Sequence, residues 1–288
     1  MQHFLIIPRK IISLLPIVTV YFVTYFGHAQ TELLYKKIDT TRLFLEVHRP
    51  EKPDASRKYP AFVFFFGGGW QKGDRSHFKY HAEYFKQRDM VCILADYRTE
   101  SKHGTSPFIA LQDAKSAIRY VRQNADKLGI DPNQIIVSGG SAGGHLAAST
   151  AVIEKYNDPN DNLQIDCKPN ALVLYNPVID NGPGGYGHER IGDAYKDFSP
   201  LHNIEEGAPP TLLFLGTKDH HIPVVTAEYY KMVMDKVGSR CDLKIYEDKG
   251  HGFFNHQFKK MYKKTIQETD EFLQSLGYID ERPLVQIN

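Results

Sequence analysis

From Glu32 onward the chain alternates apolar and polar positions through "ELLYKKID" and "RLFLEVHR", which predicts two strands paired antiparallel at a sheet edge. The next apolar segments do not alternate. "AFVFFF" and "VCILADY" are continuous runs of strand length, the pattern of strands buried on both faces. Between them, "DRSHFKYHAEYFKQRD" spaces Phe78, Ala82 and Phe85 as one apolar stripe of a helix. The clearest helix is "FIALQDAKSAIRYVRQNADKLGIDPNQ". Leu111, Ala114, Ile118, Val121, Ala125 and Leu128 step by three and four, and Gly129 followed by "DPN" ends it. A strand "IIVS" leads to an alanine-rich helix from Gly144. Strands "ALVLYNPV" and "TLLFLG", helix "TAEYYKMVMDKV", strand "CDLKIYE" and a closing helix from about Gln257 to Leu276 complete the order. Strands alternating with helices predict an α/β protein: a mostly parallel central sheet with helices on both faces.

The first residues follow a different pattern. Arg9 and Lys10 precede the uncharged stretch "IISLLPIVTVYFVTYF", residues 11–26, and small Gly27 and Ala29 stand at −3 and −1 of a cut after Ala29. Those parts in that order read as a secretory signal peptide over residues 1–29. An uncleaved membrane anchor is the alternative, although the stretch falls short of a full span. Residues 30–288 are then expected to form one catalytic domain, exported to the periplasm or beyond. A membrane enters only if the leader stays attached.

Composition narrows the partners. The 288 residues carry a net charge of +1 and are 42% hydrophobic, enough for a large core but without the basic face that nucleic acid demands. Cys92 falls in a buried strand, while Cys167 and Cys241 are open to pairing in an oxidising compartment. No CxxC or HExxH spacing occurs, so neither metal nor cofactor is expected.

Chemistry concentrates in "IIVSGGSAGGHLAAS". A buried strand runs into Gly139-Gly140-Ser141-Ala142-Gly143, a G-x-S-x-G match, and a small-residue helix follows. A serine on such a tight turn projects its Oγ from the sheet, and flanking glycines admit neighbouring backbone without a Cβ clash. The helix N-terminus favours developing negative charge beside it. A phosphate loop would want a lysine or a G-x-G-x-x-G with a later acid, and neither is present.

With "FGGGW", "ADYR", "PPTLLFLGTKDHHIPV" and "YEDKGHGFF", that stretch resembles α/β-hydrolases of the esterase/lipase group, in family order over about residues 60–255. That group includes hormone-sensitive-lipase-like bacterial esterases and secreted carbohydrate esterases. The resemblance implies Ser141 as nucleophile, Asp219 as the acid and His251 as the base. Each follows an apolar run, as expected where active groups gather at strand carboxyl ends. Asp180, after "LVLYNPVI", is the competing acid. His145 is expected to pack, His220 and His221 to lie at the surface or in a pocket wall, and the other histidines to be ordinary surface residues.

Three consecutive glycines, Gly67 to Gly69, close the run "VFFF". They give up packing, and bare backbone there suits an oxyanion hole, whose donors the resemblance assigns to the N–H groups of Gly68, Gly69 and Ala142. The family usually has histidine before these glycines; here Phe66 stands there and cannot hydrogen-bond the turn. Trp70 is expected either to roof the substrate pocket or to pack beneath the loop. The function implied is a secreted serine esterase for short acyl groups, such as acetyl or feruloyl esters of polysaccharide. A serine exopeptidase of the same fold and a non-catalytic binding relative are the alternatives.

Overall fold

The computed structural model describes residues 31–281. The predicted leader therefore lies outside the described residues. Eight strands form one sheet: β1 (Thr31–Ile38), β2 (Thr41–His48), β3 (Tyr59–Phe65), β4 (Val91–Ala95), β5 (Ile130–Gly140), β6 (Ala171–Tyr175), β7 (Thr211–Gly216) and β8 (Cys241–Tyr246). Their order is β1-β2-β4-β3-β5-β6-β7-β8. β2 is antiparallel to both neighbours, and every pairing from β4 to β8 is parallel.

The unbroken apolar runs are explained by the two cores. Along β3, Ala61, Val63 and Phe65 join one apolar cluster, while Phe62 and Phe64 join the other. Leu172 and Leu174 of β6, and Leu213 and Leu215 of β7, fall on the first face, with Val173, Leu212 and Phe214 on the second. Side chains alternate across a strand, so a strand covered on both faces must be apolar throughout. Helices Pro107–Gln123, Ala142–Val152 and Val224–Lys236 cover the first face; Lys79–Lys86 and Lys259–Ser275 cover the second.

Three boundaries differ from expectation. The helix expected to run on to Gly129 stops at Gln123 and restarts as a single turn, Ala125–Leu128. β5 begins at Ile130 rather than at the apolar run, because Ile130 pairs with Tyr59 before a register shift admits the polar residues that follow. The helix after Ser141 begins at Ala142, not Gly144.

The topology places a crevice. From β3 the chain steps to β4 on one side and then crosses to β5 on the other. Such a switch point leaves an open cleft at the strand carboxyl ends, where open α/β sheets bind ligands. Gly67 follows β3 and Ser141 follows β5, one on each side of it.

Candidate active site

Ser141 sits on a strained turn. Its φ of 54° and ψ of −120° are outside the usual range for a residue with a side chain, a state that costs about 1–3 kcal/mol and persists only when surroundings enforce it. They do so here. The Ser141 N–H donates to Tyr175 O at 3.0 Å, and its carbonyl accepts from the N–H groups of His145 and Val178. The helix must also start hard against β3: a Cβ on Gly143 would lie 2.1 Å from Phe65 O. Only glycine admits that approach.

The structure brings Asp219 and His251 together. His251 Nδ1 lies 2.7 Å from Asp219 Oδ2, with the Asp219 side chain 0% exposed and that of His251 25% exposed. Asp219 Oδ1 accepts two backbone N–H bonds, from His221 at 2.9 Å and Ile222 at 3.0 Å. Burial acts to raise the Asp219 carboxyl, but the His251 contact and the two backbone donors outweigh it and hold its pKa below the usual value. Asp180 is elsewhere: its Oδ1 accepts from Gly182 N–H and lies 4.0 Å from His202.

Ser141, His251 and the glycine turn line one cavity of about 490 Å³, together with Asn176, Tyr186 and His221. That size lies within the common range for small-ligand sites. Gly68 and Gly69 have φ of 130° and 67°, and the Gly68 carbonyl accepts from Gln71 and Lys72 N–H. Among the described residues no hydrogen bond takes up the N–H groups of Gly68, Gly69 or Ala142. A Cβ on Gly68 would meet Lys72 O at 2.0 Å. Gly68→Ala is therefore expected to deform this turn and lower kcat by about a hundred- to a thousandfold, the cost of one lost oxyanion donor. KM should stay within about threefold, read from steady-state kinetics with circular dichroism to confirm folding.

Trp70 does not roof the cavity. It is 1% exposed, sits edge-on to His145 and near Phe198, and carries the Arg190 guanidinium 5.2 Å from its ring. Arg190 Nη1 also donates to Gly69 O at 2.6 Å, so this cation clamps the turn from outside. His145 packs as expected, and burial pushes its imidazole down to about 3. Cys167 and Cys241 are separate buried thiols.

Four residues were not named individually in the sequence reading. His77, expected at the surface, reaches the glycine turn. His81 is buried among Phe64, Phe78, Tyr175 and Tyr262. Asn176, 1% exposed at a strained φ of 37°, accepts the Gly252 N–H and holds its amide 3.5 Å from His251 Nε2. Tyr186, in the loop before the short helix His188–Ile191, turns its ring toward His221, which in turn sits edge-on to His251. The one available signal was for Asn176: an amide directly after an apolar strand, at the sheet end where active groups collect.

Phe66 is packing. Its ring stacks on Tyr97 at 4.0 Å, and its carbonyl accepts from the Tyr97 hydroxyl. Phe66→His is expected to lower the melting temperature without raising kcat, because it buries an imidazole in an apolar stack. A faster enzyme from this substitution would contradict the packing role.

Comparison with known proteins finds esterases and one peptidase family. The BD-FAE family model matches residues 45–183, and that of the prolyl oligopeptidase family matches residues 173–276. An acetylxylan esterase of Xylanibacter ruminicola is 26% identical over 244 residues, covering 79% of this chain and 47% of the relative. Esterase LipC of Mycobacterium tuberculosis is 29% identical over 245 residues, covering 75% and 58%. The chain thus spans about half the length of these curated relatives. Among solved structures, apo Thermogutta terrifontis esterase 2 superposes with a TM-score of 0.84 at 40% identity, over 88% of this chain and 97% of that one. The butyrate-bound form of that esterase gives a TM-score of 0.84 at 39% identity, over 88% and 96%.

Proposed function

Because this chain belongs to the α/β-hydrolase esterase/lipase family, we propose that it is a serine carboxylesterase hydrolysing short-chain acyl esters through an acyl-enzyme on Ser141. The observation that carries this reading is the fully buried Asp219 carboxylate bonded to His251 Nδ1, with His251 and Ser141 lining one cavity. A carboxylate on Nδ1 keeps that nitrogen protonated, so Nε2 has the free lone pair and can act as base.

The reaction follows. His251 Nε2 takes the Ser141 proton as Oγ attacks the ester carbonyl, and Asp219 stabilises the imidazolium. The carbonyl oxygen becomes an oxyanion, for which the free N–H groups of Gly68, Gly69 and Ala142 are the donors. His251 then returns the proton to the leaving alkoxide oxygen, so the alcohol departs and the acyl-serine remains. Water repeats the cycle and releases the acid.

Short acyl groups are supported by the modest cavity and by the propionate- and butyrate-bound forms of the Thermogutta esterase. The acetylxylan esterase relative supports a polysaccharide ester as substrate and, with the signal-like residues 1–29, an exported enzyme. A chain-length series of 4-nitrophenyl esters tests the acyl preference: kcat/KM should peak between acetate and butyrate and fall by octanoate. Acid release from acetylated and feruloylated xylans tests the alcohol side. The prolyl oligopeptidase match over residues 173–276 supports a second reading, a serine peptidase. Faster cleavage of an aminoacyl 4-nitroanilide than of any ester would favour it.

A further inference from the structure

The turn that presents Gly68 and Gly69 is attached to its surroundings at Gly67. There the Gly67 N–H donates to His77 Nδ1 at 2.9 Å, and the other ring nitrogen, Nε2, lies 2.7 Å from Asn255 Oδ1. The two contacts define one protonation state. A nitrogen that accepts from a backbone N–H has no proton of its own, so the proton is on Nε2 and donates to the Asn255 oxygen. Asn255 belongs to the base loop, its N–H closing a turn onto Gly252 O at 3.0 Å. Two hydrogen bonds therefore tie the loop after β3 to the loop carrying His251.

The ring is also wedged in place. Its Cε1 would lie 3.3 Å from a Cβ on Gly67 and 3.4 Å from one on Gly140, so it fills the gap between the glycine turn and the end of β5. Phe78 and Phe254 flank it, with centroids 4.7 Å and 5.7 Å away. His77 itself comes from a 3-10 turn, Arg75–Phe78, whose start is capped by the Asp74 carboxylate on Ser76 N–H.

Resting on the esterase reading, we propose that His77 is the positioning residue of the oxyanion turn. Its Nδ1 fixes the peptide plane of Gly67, and with it the direction in which the next two N–H groups point. Asn255 fixes the tautomer that makes Nδ1 an acceptor. A misaimed donor loses most of its worth in the transition state while the bound ester is little affected, so the effect belongs in kcat.

Two conservative substitutions separate this role from simple filling. The side-chain oxygen of asparagine falls where Nδ1 stands, whereas the amide nitrogen of glutamine falls where Nε2 stands. With a 4-nitrophenyl acetate assay, His77→Asn is expected to keep kcat within about tenfold of wild type. His77→Gln and His77→Ala should lose about a hundredfold, near the loss of one oxyanion donor, at a KM within about threefold. A filling role gives the opposite order, since glutamine occupies more of the space. His77→Gln equal to or above His77→Asn, or His77→Ala within threefold of wild type, overturns the proposal. If the wild-type chain cleaves no ester, the esterase reading falls instead, and amide hydrogen exchange of Gly67 decides alone. Slow exchange in wild type and His77→Asn, with fast exchange in the other two, supports the positioning role; equal rates in all four overturn it.

Discussion

Ser141→Ala is expected to lower kcat on short acyl esters by about four orders of magnitude or more, leaving the fold intact. Removing a nucleophile that acts with a base leaves only catalysis from binding and the oxyanion donors, a loss that reaches about a millionfold in comparable serine enzymes. The backbone of the elbow should survive. The Ser141 N–H and C=O bonds to Tyr175, His145 and Val178 do not involve the hydroxyl, and alanine carries the same strained φ of 54° as serine does. The melting temperature should therefore move by little. KM should also change little, because the hydroxyl enters the reaction rather than holding the ground state. A stopped-flow burst of 4-nitrophenol, present in wild type and absent in the variant, checks the step itself. Activity within tenfold of wild type would remove Ser141 from the mechanism.

What the sequence made legible follows from physical redundancy. The sheet could be read because β3, β4, β6 and β7 are covered on both faces, so every residue of each run reports the same burial. Ser141 could be nominated from its glycine-flanked turn after β5, and Asp219 and His251 through the family resemblance, since each stands past a strand at the sheet end where active groups gather. The start of β5 was invisible for the opposite reason. Residues 131–134 fall in the register shift between Ile130 and Ile135, half-buried or exposed, where no burial pattern marks them as strand. His77 gave no signal at all. It is a single polar residue in a 3-10 turn, and it finds Asn255 across 178 positions of chain. Trp70 was ambiguous because an aromatic beside glycines suits a pocket wall and a buried plug equally. The backbone decides it, with a φ of 59° turning the indole inward against His145.

Asp219→Asn should lower kcat by about ten-thousandfold, while Asp180→Asn stays within a few-fold of wild type. The structure dictates how asparagine would sit. Oδ1 of Asp219 is held by the His221 and Ile222 N–H groups, and only an oxygen can accept them. The amide nitrogen is then the atom facing His251, where Oδ2 now stands 2.7 Å from Nδ1. An N–H donor there requires a bare Nδ1, which moves the imidazole proton to Nε2. His251 can then no longer accept the Ser141 proton, the wrong-tautomer outcome that costs about this factor in triad enzymes. Asp180 has no contact with His251, so its neutralisation leaves the tautomer alone. Stability gives an independent reading. The folded Asp219 carboxyl has a lowered pKa, so its contribution is present above the unfolded value of about 4 and is lost as pH falls through the folded one. Asp219→Asn cannot lose that contribution. Its melting temperature should fall less steeply than that of wild type below about pH 4, followed by calorimetry across that window. If Asp180→Asn proves the crippled variant and Asp219→Asn the mild one, the acid has been assigned to the wrong strand end.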